Sequence, residues 1–191
     1  MEKVKTGKLI ILSGPSGAGK GTICAELLRL MPDLVISRSV TTRAPRANER
    51  KDRSYFFVST DTFLEMVKNN ELLEYDQHFE NYYGTPKKFV VDMLNFGKDV
   101  ILEIDVKGAL QVKQNYPDSI LFFIEAPSEE ALLERLIKRG SETPDKIQIR
   151  MARNKLELAQ RSKYDYCIMN DDVVRAVNEI IQILKERRIQ Q

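Results

Sequence analysis

The sequence predicts an α/β protein built on a mainly parallel sheet with helices on both faces, and three observations carry that prediction. Four short apolar runs are each followed by an amphipathic stretch: "KLIILSG" by "KGTICAELLRLM", "DVILEID" by "VKGALQVKQNY", "SILFFIEA" by "SEEALLERLIKRG", and "YDYCIMN" by "DDVVRAVNEIIQILKERR". Short β-branched runs alternating with helix-period stretches are the mark of strand and helix units whose helices cover a buried sheet. Helix boundaries carry their own punctuation. Thr85 and Pro86 read as an N-cap and first-turn proline with Gly97 at the far end; Ser128 caps a helix with Glu129 and Glu130 in its first turn and Gly140 beyond it; Thr143 and Pro144 start another. At 191 residues the chain fits one domain, with room for appended flaps.

The first strand and helix enclose "GPSGAGKGT", residues 14–22. Gly14, Gly19 and Lys20 match the phosphate-loop spacing of Gly, four residues, Gly and Lys, and Pro15, Ser16, Gly17 and Ala18 fill the interval. Glycines let the backbone curl so that N–H groups point inward, the helix N-terminus adds positive potential, and the lysine reaches the outer phosphates. Such a loop holds a polyphosphate. The position after Lys20, usually a Ser or Thr that ligates magnesium, is Gly21, with Thr22 next. The hydroxyl ligand is therefore displaced or replaced by water. A phosphate loop on its own leaves switches, motors, transporters and small-molecule kinases open.

Two stretches interrupt the alternation. Residues 37–91 contain "SRSVTTRAPRANERKDRSYFFVS", a helix-like "TDTFLEMVKNN", and "LLEYDQHFENYYGT", which reads as antiparallel strand material. "KRGSETPDKIQIRMAR" is polar, Arg-rich and lies between two helices. Both suit moving flaps. Ser39, Arg43, Arg46 and Glu49 fall close together, followed by Tyr55; guanidinium forks grip phosphate oxygens bidentately, although composition alone also allows a solvated charged loop. Arg135 and Arg139 are four apart on one helix face. Glu103 and Asp105 in "ILEID" have strand spacing near a strand's C-terminal end, where open α/β sheets bind ligands.

Composition excludes several classes. With 30 Lys and Arg against 28 Asp and Glu, the net charge of +2 is far from that of a protein living on nucleic acid. The N-terminal apolar run breaks at Gly14 and Pro15, short of a bilayer span and without a small-residue cleavage pattern, so the expected location is cytoplasmic, with no membrane partner. Cys24 and Cys167 lack metal-ligand spacing and read as small apolar residues. The single histidine, His78, reads as an ordinary strand residue and argues against a histidine-rich metal centre.

The ordered set "GPSGAGKGT", "SVTTRAPRANE", "YFFVS", "LLEY", "NYYGT", "ILEIDVKGA", "RLIKRG" and "YDYCIMNDD" resembles the guanylate kinases almost end to end. The resemblance implies a three-layer P-loop kinase core (about 1–36, 92–134 and 154–191), a mixed α/β GMP-binding flap (about 37–91) and a small lid (about 135–153). It implies ATP and GMP as substrates, leaving dGMP and the oligomeric state open, with Mg2+ accompanying ATP. By that match Arg43, Arg46, Tyr55 and Tyr83 hold the GMP phosphate, with Glu49 nearby, and Ser39, Glu74, Thr85 and Glu103 read or position the guanosine. Residues 14–22 hold ATP, with Asn170 near the adenine. Lys20, Arg43, Arg135, Arg139 and Arg150 serve the transferring phosphoryl group, and Thr22 and Asp105 approach the metal, in part through water. The lid arginines are expected to arrive on closure, and Tyr82 is expected to pack rather than ligate. Asn48 stands where the family usually has glycine, and Lys107 where many members have Gln.

Base chemistry supports the guanine assignment: one carboxylate can accept both N1–H and the exocyclic amine of guanine, and hydroxyls can donate to O6. Adenine would leave that carboxylate facing an acceptor. Two other readings remain at this point: a guanylate-kinase-like scaffolding domain, which usually lacks an intact phosphate loop, and another nucleoside-monophosphate kinase, since "GAGKGT" also occurs in adenylate kinases.

Overall fold

Five consecutive buried residues, Leu9–Ser13, form β1, the middle strand of a sheet in the computed structural model, which describes residues 6–45, 55–78, 80–138 and 143–189. Then follow α1 (Lys20–Leu30), β2 (Val35–Ile36), β3 (Val40–Thr41), β4 (Phe56–Phe57), α2 (Thr60–Lys68), β5 (Leu72–His78), β6 (Asn81–Pro86) and α3 (Lys87–Asn95). The second half comprises β7 (Val100–Glu103), α4 (Val106–Asn115), β8 (Ile120–Glu125), α5 (Glu129–Lys138), α6 (Pro144–Leu158), β9 (Tyr166–Met169) and α7 (Val173–Ile189). Every predicted strand and helix of the alternating pattern is present.

The first sheet has the order β2-β7-β1-β8-β9, with β2 parallel to β7 and β8 parallel to β9. Chain order therefore reverses at β1, and the crevice beyond the carboxyl ends of strands at such a reversal is where α/β proteins bind ligands. The second sheet, β4-β3-β6-β5, is mixed: β3 runs antiparallel to β6 and β5 antiparallel to β6, as the "LLEYDQHFENYYGT" pattern predicts.

The chain divides into two compact units. One contains 33–102 and 107–120 with the first ten residues. Its second sheet is two-faced. Val40, Phe63 of α2, Leu72 and Tyr82 form an apolar cluster, Tyr82 stacking on Phe63 at 5.3 Å, so Tyr82 packs as expected. Side chains alternate along the strands, and an irregularity between Leu72 and Tyr75 shifts the phase of β5 by one residue, so the face opposite this cluster carries Thr41, Glu74, Asp76 and Thr85, all buried. Ser59 caps α2 by accepting the Thr62 N–H at 3.1 Å.

The other unit comprises 11–32, 103–106 and 121–191. The stripe Ala176, Val177, Ile180 and Leu184 of α7, whose spacing follows the helical period, is buried, and this helix packs against α1 and β9. Within the polar, Arg-rich segment that interrupts the alternation, α6 begins at Pro144 behind Thr143, as the Thr-Pro signal predicts. Ser128 caps α5, accepting the Ala131 N–H at 3.2 Å.

Two readings are corrected. Thr85 and Pro86 are not the cap and first turn of α3 but the last two residues of β6, and Thr85 spends its hydroxyl on Glu74 rather than on a helix N–H. Cys167, read like Cys24 as a small apolar residue, is exposed, whereas Cys24 is buried; both are free thiols.

Candidate functional site

The phosphate loop leaves β1 at Gly14, whose φ of +135° and a would-be Cβ 2.2 Å from the Ile124 carbonyl oxygen admit only glycine. Gly19 is held the same way: φ is +92° and a Cβ would fall 2.2 Å from Asn170 Nδ2. Lys20 then opens α1 and turns its ammonium back onto the loop, donating to the Gly14 and Pro15 carbonyls at 2.6 and 3.1 Å. The first turn of α1 supplies N–H groups that no intrahelical carbonyl can take, together with the positive end of the helix dipole. That combination is an anion cradle.

Three side chains brace the loop from behind. Asn170, buried at the end of β9, donates from Nδ2 to the Ala18 carbonyl at 2.7 Å. Arg135 of α5 donates to the Asn170 carbonyl at 2.9 Å and to that of Ala18 at 3.3 Å. Arg150 of α6 donates to Ser16 Oγ at 3.1 Å. Sequence reasoning expects these arginines to arrive on closure; both already lie against the loop.

Sequence reasoning missed Asn154, a buried residue of α6 that pairs with the Ser16 backbone. Its partner lies 138 positions away, so no local pattern marks it. Ser16 and Ala18 both give their N–H groups to protein acceptors, Asn154 Oδ1 and the Pro15 carbonyl, so not every loop N–H points inward.

Glu103 ends β7 exposed, and its carboxylate oxygens stand 3.5 and 3.6 Å from where a Cβ on Gly21 would be. The carboxylate thus hangs over the first turn of α1. Together with burial, which is the larger cause, it pushes the Cys24 thiol up to about 12. Asp105 is mostly buried, with Arg153 at 3.9 Å, and Arg153 also binds Glu157 at 2.8 Å. Thr22 is exposed on the first turn. Among the described residues no group of three or more His, Cys, Asp and Glu forms a metal cage.

In the other unit, the Thr85 hydroxyl donates to Glu74 Oε1 at 2.6 Å, both residues being buried. Asp76, two residues along β5, is buried too and ion-pairs with Lys107 at the start of α4. At one side, Arg43 packs its guanidinium 5.4 Å from the Tyr55 ring, and Tyr55 meets Tyr83 edge-on at 6.1 Å. Thr41 fixes this corner, accepting the Arg43 N–H at 3.2 Å while donating to the Tyr82 carbonyl at 2.9 Å. Ser39 is half-buried just before β3, and its carbonyl accepts the Phe56 N–H at 2.9 Å. Arg46, Glu49 and Arg139 lie outside the described residues, as do Asn48 and Gly140.

A glycine-bound anion cradle after the central strand of a reversing parallel sheet, with lysine and arginines around it, defines a P-loop nucleotide-binding protein. The guanylate kinase family model matches residues 6–187. The chain is 49% identical over 188 residues to a guanylate kinase of Clostridium tetani (98% of this chain, 88% of that protein) and 48% identical over 180 residues to one of Caldanaerobacter subterraneus subsp. tengcongensis (94% and 87%). The crystal structure of guanylate kinase from Anaplasma phagocytophilum superimposes with a TM-score of 0.80 at 32% identity, covering 96% of this chain and 87% of that one. The chain belongs to the guanylate kinase family, and its activity is the ATP-dependent phosphorylation of GMP to GDP. No helix among the described residues is long and apolar enough to cross a membrane.

Proposed function

We propose that residues 14–22 bind the ATP phosphates and that the polar face of the second sheet binds GMP. The observation that carries this reading is the buried Glu74 carboxylate, fixed by Thr85 on a sheet face whose edge presents Arg43, Tyr55 and Tyr83. Glu74 accepts the two donors of guanine's Watson–Crick edge, and Ser39 supplies a hydroxyl for O6. Arg43, Tyr55 and Tyr83, with Arg46 and Glu49 from the family match, hold the GMP phosphate. Glu103 positions the guanosine, and Asn170 shapes the loop on the adenine side.

Phosphoryl transfer needs alignment and charge neutralisation more than covalent help. The GMP phosphate oxygen attacks in line, and Lys20, Arg135, Arg139 and Arg150 neutralise the charge that spreads over the equatorial oxygens. A dry, closed site keeps water from competing.

The residues present fit a divalent cation held mainly by nucleotide phosphates. Glu103 places a carboxylate beside the position where Gly21 lacks the usual hydroxyl, and Mg2+ commonly takes one or two carboxylates plus phosphates and waters. Asp105, beside Arg153, acts from further out, and Thr22 through water. When bound, Mg2+ screens the β- and γ-phosphate charge. Core, flap and lid, about as the sequence divides them, are the working parts of a cytoplasmic enzyme.

A coupled assay of ADP formation with GMP, AMP, CMP and UMP offered in turn tests this reading. Turnover is expected with GMP alone and is lost in Lys20→Ala; equal turnover with AMP would overturn the Glu74 assignment.

A further inference from the structure

Asn154 lies in the middle of the 15-residue helix α6, where a carboxamide has no role in helix formation, yet it is 2% exposed. Its Oδ1 accepts the Ser16 N–H at 3.0 Å and its Nδ2 donates to the Ser16 carbonyl at 3.1 Å. Pairing with both backbone groups of one residue acts like a short length of sheet and fixes how that residue is rotated. The reverse amide orientation would set donor against donor and acceptor against acceptor, so the pairing itself determines which way the amide points. Four residues earlier, on the same face of α6, Arg150 donates to Ser16 Oγ at 3.1 Å. Every polar atom of Ser16 is therefore engaged by α6.

We infer that Asn154 is a positioning residue for phosphoryl transfer, locking α6 to the phosphate loop so that Arg150 is held beside the ATP phosphates before the nucleotide arrives. This rests on the reading of residues 14–22 as the ATP-phosphate site. Two consequences follow from the geometry. The Ser16 N–H is committed to Asn154 and does not serve a phosphate oxygen. Arg150, released from Ser16 Oγ by a better acceptor, needs only a side-chain movement to meet a phosphate, because Asn154 keeps the helix in place.

The test is a double-mutant cycle in the full-length protein, with KM and kcat measured separately for ATP and GMP. Asn154→Ala is expected to raise the KM for ATP and lower kcat by about tenfold each, leaving the KM for GMP within about twofold. If Asn154 acts through Arg150, the double variant with Arg150→Ala is no worse than Arg150→Ala alone by more than about twofold. Effects that simply multiply would overturn the inference, as would ATP parameters that stay at the wild-type level while only the melting temperature falls. Asn154→Asp, isosteric and still able to accept the Ser16 N–H but unable to donate to its carbonyl, should move the ATP terms in the same direction, and its indifference would count equally against the role. Lys20→Ala, run alongside, separates the two readings. If it leaves ATP use intact, the loop assignment itself fails; if it is crippled while both Asn154 variants are indifferent, only the role of Asn154 fails.

Discussion

Thr85 Oγ1 and Glu74 Oε1 meet at 2.6 Å across the antiparallel pair β5 and β6, with Thr85 1% and Glu74 6% exposed. A buried carboxylate is costly unless its lone pairs are taken, so a single orientation of Glu74 is strongly favoured. Replacing Glu74 by Gln keeps the shape and an acceptor for Thr85 but puts a donor where guanine also donates. The kcat/KM for GMP is expected to fall by about a hundredfold or more, with the KM for ATP little changed. Steady-state titration of each substrate measures it.

Gly19→Ala should damage the loop from its far end. The added methyl group would sit 2.2 Å from Asn170 Nδ2, at a φ of +92° that L-residues rarely adopt. The strain and the displaced Asn170 bond to Ala18 should cost about 1–3 kcal/mol of stability and weaken ATP binding with it. Chemical denaturation and ATP titration of the variant check both halves; an unchanged denaturation midpoint would contradict the geometry.

What was legible in the sequence is what neighbouring residues decide. The loop is contiguous, and the apolar patterns that mark a buried strand or an amphipathic helix repeat within a few residues, so both could be read directly. The misreading of Thr85 and Pro86 shows the limit. Their letters suit a helix start, but the hydroxyl that would cap α3 is taken by a carboxylate eleven positions back, and only the pairing register of β5 and β6 reveals it. Asn154 is the same problem over 138 positions. The ion pair of Asp76 with Lys107 likewise joins two residues that are unremarkable where each stands. The guanine-side residues became candidates through family resemblance, because hydroxyls, carboxylates and tyrosines scattered over a sheet have no period of their own.

Gly21→Ser restores the hydroxyl that phosphate loops usually carry at this position. The nearest atoms to the new Cβ would be the Glu103 carboxylate oxygens at 3.5 and 3.6 Å, ordinary contact distances, so the variant should fold. Serine also has the higher helix propensity, and stability should change by less than about 1 kcal/mol. If Glu103 partly fills the role of the absent hydroxyl, the Mg2+ concentration for half-maximal activity should fall in Gly21→Ser and rise in Glu103→Gln. A magnesium titration at fixed ATP reads both.

The Glu103 carboxylate also reaches Cys24, whose thiol is raised from 9.0 to about 12, first by burial and then by that negative charge. The folded protein therefore holds this proton more tightly than the unfolded chain does. Stability from this group is complete below about pH 9 and is lost as pH rises towards 12, at about 1.4 kcal/mol per pH unit. Tyr164, raised by burial as well, adds to the loss at the alkaline end. Cys24→Ala leaves Tyr164 in place, so comparing urea denaturation of the two proteins between about pH 8 and 11 isolates the thiol. The variant should be less stable near neutrality because it loses buried sulfur, yet its stability should fall less steeply above about pH 9. Parallel curves would mean that the thiol does not titrate between the two states.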